Sequence, residues 1–137
     1  MDAKHLDFIV GCASNVVFQS GDFLFKAGAP ADQFYLLRYG TVALQVYAPG
    51  QGATVVDTLE EGEVVGWSWL VEPHRARFDA IARQTVRAIC LDGECIRRKC
   101  ESDHELGYQM LMRVVQVMDQ RIHATRIQLL DLYGANL

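Results

Sequence analysis

The sequence predicts a mainly β fold, an antiparallel sandwich, jelly roll or barrel with helices before and after it in the chain. Between residues 21 and 47, three short apolar runs alternate with glycine-containing turns, and no helical spacing separates them. Strands joined by such short connections pair in antiparallel fashion. After residue 92 the apolar spacing becomes that of a helix and stays so almost to the end of the chain.

The first elements follow from the spacing of apolar residues. In the segment Ala3–Ala13, apolar residues recur at the spacing of a helix, which predicts a short N-terminal helix. Strand structure is predicted to begin at Val16, and a tight turn is predicted over Arg38–Gly40. Further strands are predicted where β-branched and aromatic residues lie between turn-forming residues: 23–25, 34–37, 41–47, 54–59, 78–82 and 85–91.

Two helices are predicted to complete the chain. Glu94–Glu101 suits a short helix, and Ser102 followed by Glu105 is the pattern of a capping box that begins a second one. No proline interrupts the segment from Asp103 to about Tyr133. A helix of about 30 residues is about 45 Å long, more than a domain of this size covers with its own surface.

An apolar line along this long helix predicts a homodimer. Its members step by three and four residues, as in the seam of a coiled coil: Leu111, Val114, Met118, Ile122, Thr125, Leu129 and Leu132. Packing on the protein's own sheet accounts for the first two turns of the helix, and a second copy of the chain is expected to cover the rest.

The length of 137 residues indicates one domain, with the β part over 14–92 and the C-terminal helices over 93–133. Half of the residues are hydrophobic, 22% are charged, and the formal net charge is −4. The acidic balance argues against a nucleic-acid-binding surface. No apolar run reaches the roughly 20 residues that cross a bilayer, and the N-terminus lacks the pattern of a signal peptide.

The four cysteines, at positions 12, 90, 95 and 100, include no Cys-x-x-Cys pair, and no histidine lies at ligand spacing from them. They are interpreted as buried or free thiols of a reducing compartment, so we expect a cytoplasmic protein without disulfides or zinc. No dinucleotide-binding loop, P-loop or paired-carboxylate motif occurs. The chain is therefore not predicted to be an enzyme.

The glycine-rich segment resembles the opening of the cyclic nucleotide-binding domain family. The matching residues are Gly21, Leu24, Phe25, Gly28, Ala31, Asp32, Tyr35, Leu36, Leu37, Gly40 and Val42. The order of elements is also similar from about residue 5 to residue 133. The resemblance implies a double-stranded β-helix, or jelly roll, with an N-terminal helix, a short helix and a long C-terminal dimerisation helix.

The resemblance also implies a function: a stand-alone regulatory sensor that binds a cyclic nucleotide or another small anion in the roll. Family members that act as transcription factors carry a helix-turn-helix domain after the long helix. Because this chain stops at Leu137, we expect no direct nucleic-acid binding, and we expect its output to pass to an unknown protein partner. No other cofactor is implied.

In this family a glycine, a one-turn helix and an arginine hold the ligand, and residues 65–80 are the counterpart here. Gly66 fits the pattern, but Trp67 stands where a glutamate binds the ribose. The arginine position falls on Ala76, with an arginine on either side that strand alternation places on the opposite face. The candidate ligand-binding residues are Gly66, Trp67, Ser68, Arg75 and Arg77.

Each candidate has an ordinary structural alternative. Trp67 either stacks on a base or fills the ribose space, and Ser68 either binds an anion or caps the short helix. Arg75 and Arg77 either bind ligand or form surface ion pairs. Asp79, at the family's threonine position, would repel a phosphate. Weak binding of cyclic AMP is therefore expected.

Two other functions remain as alternatives. A degenerate domain with a filled pocket would act as a dimeric interaction or scaffold protein. A metal-dependent roll of the cupin type would need histidine and glutamate ligands on its strands, and only His74 lies near the β region. We therefore expect no metal site.

Overall fold

In a computed structural model, the structure describes residues 11–50, 52–66, 68–70 and 72–134, without the side chains at positions 48, 125, 128, 129 and 131–134. The predicted N-terminal helix lies outside the described residues except for its last three positions. Of these, Gly11 and Cys12 form a turn and Ala13 already belongs to a strand.

Two four-stranded antiparallel sheets make up the β part of the described chain, a jelly roll as predicted. The first sheet has the order β1-β8-β3-β6 and the second β2-β7-β4-β5. The strands are β1 (Ala13–Phe18), β2 (Phe23–Phe25), β3 (Gln33–Tyr39), β4 (Val42–Ala48), β5 (Gly52–Leu59), β6 (Val64–Val65), β7 (Asp79–Ala82) and β8 (Val86–Asp92).

The strand predictions are largely confirmed, with three main differences. Strand β1 begins at Ala13 and not at Val16 as predicted. Strand β6 was not predicted, because two residues are too few to show an alternating pattern. Arg38 and Tyr39 were predicted as part of a turn but continue β3, since Tyr39 still pairs with Arg87 of β8.

The hydrophobic core lies between the two sheets. Strand β8 shows how it forms, because Val86, Ala88 and Cys90 are buried and alternate with residues that are not. Strands from both sheets contribute to the same cluster: Leu24, Tyr35, Leu37, Val42, Leu59, Val65, Ala80, Ala82, Val86, Ala88 and Cys90.

Two glycines permit backbone geometry that other residues do not. Gly40 has a φ of 92°, and a Cβ there would collide with the carbonyl oxygen of Thr85. Gly66, directly after β6, has a φ of 93°, and a Cβ would lie 3.3 Å from Cε2 of Phe25. A side chain at Gly66 would therefore be both strained by the positive φ and crowded by Phe25.

Two helices follow the sheets, α1 (Gly93–Ser102) and α2 (His104–Gly134). Asp92 caps α1, since its Oδ1 accepts the amide of Cys95 at 3.1 Å. Asp103 caps α2 in the same way through the amide of Leu106, at 3.2 Å. The capping box predicted at Ser102 is therefore wrong by one residue, and the Ser102 hydroxyl instead donates to Lys99 at the end of α1.

The chain divides into two compact units at residues 98 and 99. The first holds both sheets and the beginning of α1, and the second holds the end of α1 and all of α2. At 31 residues, α2 has the length that was predicted. No helix in the described part of the chain is long and apolar enough to span a membrane.

The long helix α2 presents a row of exposed apolar side chains, which we call the α2 stripe. Its members step by three and four residues: Tyr108, Leu111, Val115, Met118 and Ile122. Val114, predicted to belong to the seam, is buried, with only 7% of its surface exposed, and so is not part of this row. The side chains of Thr125, Leu129 and Leu132 lie outside the described residues.

Cys12 and Cys95 form a disulfide, so the expectation of a protein without disulfides is wrong. The bond joins the turn before β1 to the first turn of α1. The two cysteines are 83 residues apart, and the roll brings them together. Cys90 and Cys100 are free, and burial raises the pKa of both thiols.

Reduction of the Cys12–Cys95 disulfide should destabilise the fold, because the bond closes a long loop in the unfolded chain. The expected loss of unfolding free energy is about 4–5 kcal/mol, measured by urea denaturation with and without dithiothreitol. A Cys12→Ser variant should have the reduced protein's stability and not respond to dithiothreitol. Equal stability of the oxidised and reduced wild-type protein would contradict this expectation.

Substitution of Gly66 by alanine should also be destabilising. Gly66→Ala should cost about 1 kcal/mol or more, because alanine is strained at positive φ and Phe25 must move. Gly28→Ala is the matched control, since Gly28 has a φ of 86° and nothing within 4 Å of its Cβ position. Urea denaturation gives the unfolding free energy of each variant, and the difference between the two is the cost of crowding Phe25. A Gly66→Ala variant as stable as the wild type would show that the position is not strained.

Candidate ligand-binding site

A cavity of about 300 Å³ opens in the first compact unit, beside Gly66. Its walls come from β2, the loop after it, β3 and the segment that follows β6: Leu24, Phe25, Pro30, Ala31, Asp32, Gln33, Tyr35, Gly66, Ser68, Trp69 and Ala76. This volume lies at the lower end of the range for small-molecule pockets. The wall combines apolar side chains with several polar residues.

Two of the five predicted site residues, Gly66 and Ser68, line this cavity. Trp67 lies outside the described residues. Arg75 and Arg77 are exposed and do not line the cavity, and Nη1 of Arg75 donates to the carbonyl oxygen of Gly28 at 2.9 Å. The structure thus does not bring the two arginines together with Gly66 and Ser68.

Main-chain hydrogen bonds hold Ala76 in the cavity wall. Its carbonyl oxygen accepts the amide of Gly28 at 2.8 Å, and its own amide donates to Ala29 at 2.9 Å. A β-bridge pairs the neighbouring Arg75 with Pro30. Because side chains alternate in such a pairing, the buried Ala76 faces inward and the arginines on either side of it are exposed.

The described lining contains no lysine, arginine or histidine, and its one charged residue is Asp32. Asp79, which was expected to face a phosphate, is not in the lining. Its Oδ1 accepts the amide of Ala27 at 2.7 Å and so holds the turn before Gly28.

Tyr35 contributes a neutral hydroxyl to the cavity wall. Burial, with a smaller effect of the neighbouring Cys90, raises the pKa of Tyr35 to about 12. Its hydroxyl donates to Oε1 of Gln33 at 3.2 Å, and its ring meets Phe18 edge to face at 5.4 Å between centroids. The ring is thereby held in a defined position, as a preorganised binding wall requires.

Trp69 connects the cavity with α1. Its ring is 1% exposed and stacks on Phe34 at 4.6 Å between centroids. Its carbonyl oxygen accepts a hydrogen bond from Nη1 of Arg97, and a Cβ on Gly93 would collide with its Cβ. Nε1 of Trp69 is buried without an acceptor among the described residues.

The sequence analysis did not select Gln33, Tyr35 or Trp69 as site residues. The alternation along β3 carried a signal, because Gln33 and Tyr35 share the inward face with the core residue Leu37. Trp69 had no such signal, since a tryptophan beside a turn suits the core equally well. Its role depends on Phe34 and Arg97, which are distant in the sequence.

Comparison with known proteins gives a family match. The model of the cyclic nucleotide-binding domain matches residues 15–103. The CRP-like cAMP-activated global transcriptional regulator of Mycobacterium tuberculosis is 25% identical over 117 residues, which are 85% of this chain and 50% of the relative. The chain thus spans half the length of this curated relative.

Two solved structures show the same fold. A protein from Geobacter metallireducens described as cyclic nucleotide-binding has a TM-score of 0.81 and 24% identity, over 89% of this chain and 88% of its own. The N-terminal domain of a transcriptional regulator from Streptomyces coelicolor has a TM-score of 0.73 and 21% identity, over 91% and 87%. Since the family model spans well over half of the residues, this chain belongs to the cyclic nucleotide-binding domain family.

Proposed function

We propose that this chain is a ligand-sensing regulatory domain, not an enzyme. The ligand occupies the cavity beside Gly66, and the response passes through the C-terminal helices to a protein partner. The observation that carries this proposal is the cavity itself, at the segment where the sequence resembles the family's ligand site. It favours a sensor over the alternative of a degenerate scaffold with a filled pocket.

Contacts of Trp69 supply a route from the cavity to α1. The same residue lines the cavity, stacks on Phe34 and accepts a hydrogen bond from Arg97 of α1. A ligand that displaces Trp69 must therefore alter its contacts with Arg97 and Gly93. A ligand can bias a conformation only by such a difference in contacts between the two states.

The cytoplasmic location remains a proposal. It rested partly on the interpretation of the cysteines as thiols of a reducing compartment, and the Cys12–Cys95 disulfide removes that argument. Membership in the cyclic nucleotide-binding domain family still supports it.

We further propose a parallel homodimer through the α2 stripe. Five exposed apolar side chains in one row are more than a solvated helix face usually carries, and their spacing is that of a coiled coil. A second copy presents the same row and so matches it in length and chemistry. Leu111, Met118 and Ile122 of the predicted seam belong to this row.

A double substitution in the α2 stripe, Met118→Glu with Ile122→Glu, should dissociate the dimer. It would place four carboxylates in an apolar interface, where unpaired charges are strongly unfavourable. Sedimentation equilibrium at tens of micromolar should show a dimer for the wild type and a monomer for the variant.

The matched control is Gln116→Glu with Gln120→Glu, which adds the same charge at the same spacing on an exposed part of α2 outside the stripe. This control should remain dimeric. A monomeric wild type, or equal dissociation of both double variants, would refute the interface.

Cyclic AMP and cyclic GMP should bind this domain weakly. Ala76 stands at the family's arginine position, and Trp67 replaces the glutamate that binds the ribose. The loss of both interactions weakens binding by roughly 2–4 kcal/mol, or about 30- to 1000-fold. Isothermal titration calorimetry with the oxidised protein should therefore give dissociation constants near the millimolar range.

A micromolar affinity for cyclic AMP that Arg75→Ala or Arg77→Ala abolishes would contradict this expectation. It would mean that one of the exposed arginines turns into the cavity when the ligand binds. Trp69 provides a second readout, because a ligand in the cavity should change the fluorescence of this ring.

A further inference from the structure

We propose that the cavity selects an uncharged ligand with a flat ring and hydrogen-bonding edges, in preference to an anion. This inference rests on the proposed function, in which the cavity is the ligand site of the sensor. It concerns the charge and shape of the ligand that the walls accept.

The charge of the lining supports this selection. Among the described residues it contains one acidic residue, the exposed Asp32, and no basic one. An anion that enters such a cavity loses hydration and gains no counter-charge, and the nearby acidic residue adds a repulsion that solvent weakens. An uncharged ligand loses much less hydration.

The neighbouring Arg75 and Arg77 cannot bring a positive charge into the cavity wall without a change of strand register. Both main-chain bonds of Ala76, to Gly28 and Ala29, fix the inward position of the alanine. A shift of one residue would break these bonds and the bridge between Pro30 and Arg75. Arg75 is also engaged, since its guanidinium donates to the carbonyl oxygen of Gly28.

The shape and polarity of the walls define the ligand further. Phe25, Tyr35 and Trp69 give the cavity three aromatic walls, which suit a flat ring. The side chains of Gln33 and Ser68 and the Tyr35 hydroxyl are neutral hydrogen-bonding groups. With a volume of about 300 Å³, the cavity accommodates a small molecule.

Two probes that differ by a single charge test the proposal: cyclic AMP and its methyl phosphotriester, which is uncharged. Calorimetry with the oxidised wild-type protein should show that the triester binds at least tenfold more tightly than cyclic AMP. The reverse order, or equal affinity, would overturn the proposal.

An Ala76→Arg variant should reverse the preference, because it places a guanidinium in the wall. Ala76→Met is its matched control, with a long side chain but no charge, and it should not gain affinity for cyclic AMP. Asp32→Asn should reduce the ratio of the two probes' affinities several-fold. This variant provides a second test if Ala76→Arg does not fold.

The remaining outcomes separate this inference from the proposed function. If neither probe binds the wild type but Ala76→Arg binds cyclic AMP, the cavity is a ligand site and the preference for an uncharged ligand is wrong. If neither probe binds any folded variant, the proposed sensor function fails, and the inference fails with it.

Discussion

The pairing of Ala76 with the 28–29 turn is the constraint on which the site depends. Its two main-chain hydrogen bonds decide which side chain of three consecutive residues faces the cavity. Because neighbouring side chains in this pairing point to opposite faces, a methyl group lines the wall and two guanidinium groups remain outside. The absence of a basic side chain from the described lining follows from this one register.

A second consequence of the fold is the position of Trp69 between the cavity and α1. Gly93 has no side chain and therefore leaves room for the Trp69 Cβ, while Arg97, one helical turn further along, reaches the Trp69 carbonyl. The amide of Gly93 also donates to the carbonyl oxygen of Asp32, another residue of the lining. The beginning of α1 is thus joined to the cavity wall at two points.

Family membership and ligand chemistry are separate questions in this protein. The family is carried by glycines and core residues that shape the roll, such as Gly40 and Leu37, and these are present. The segment that resembles the family's ligand site includes residues 66–76, and here the arginine position holds an alanine. A fold can therefore persist while its site changes, since the core does not depend on the charge in the cavity.

The sequence by itself determined most of the strands and both C-terminal helices, because these follow from the local spacing of apolar and turn-forming residues. It missed β6, which is too short to show a period, and misplaced the cap of α2 by one residue. Only the tertiary structure decided that Cys12 meets Cys95, that Ala76 lines the cavity and that Trp69 stacks on Phe34. Each is a contact between segments far apart in the chain, and the local spacing of residues does not specify which distant segments meet.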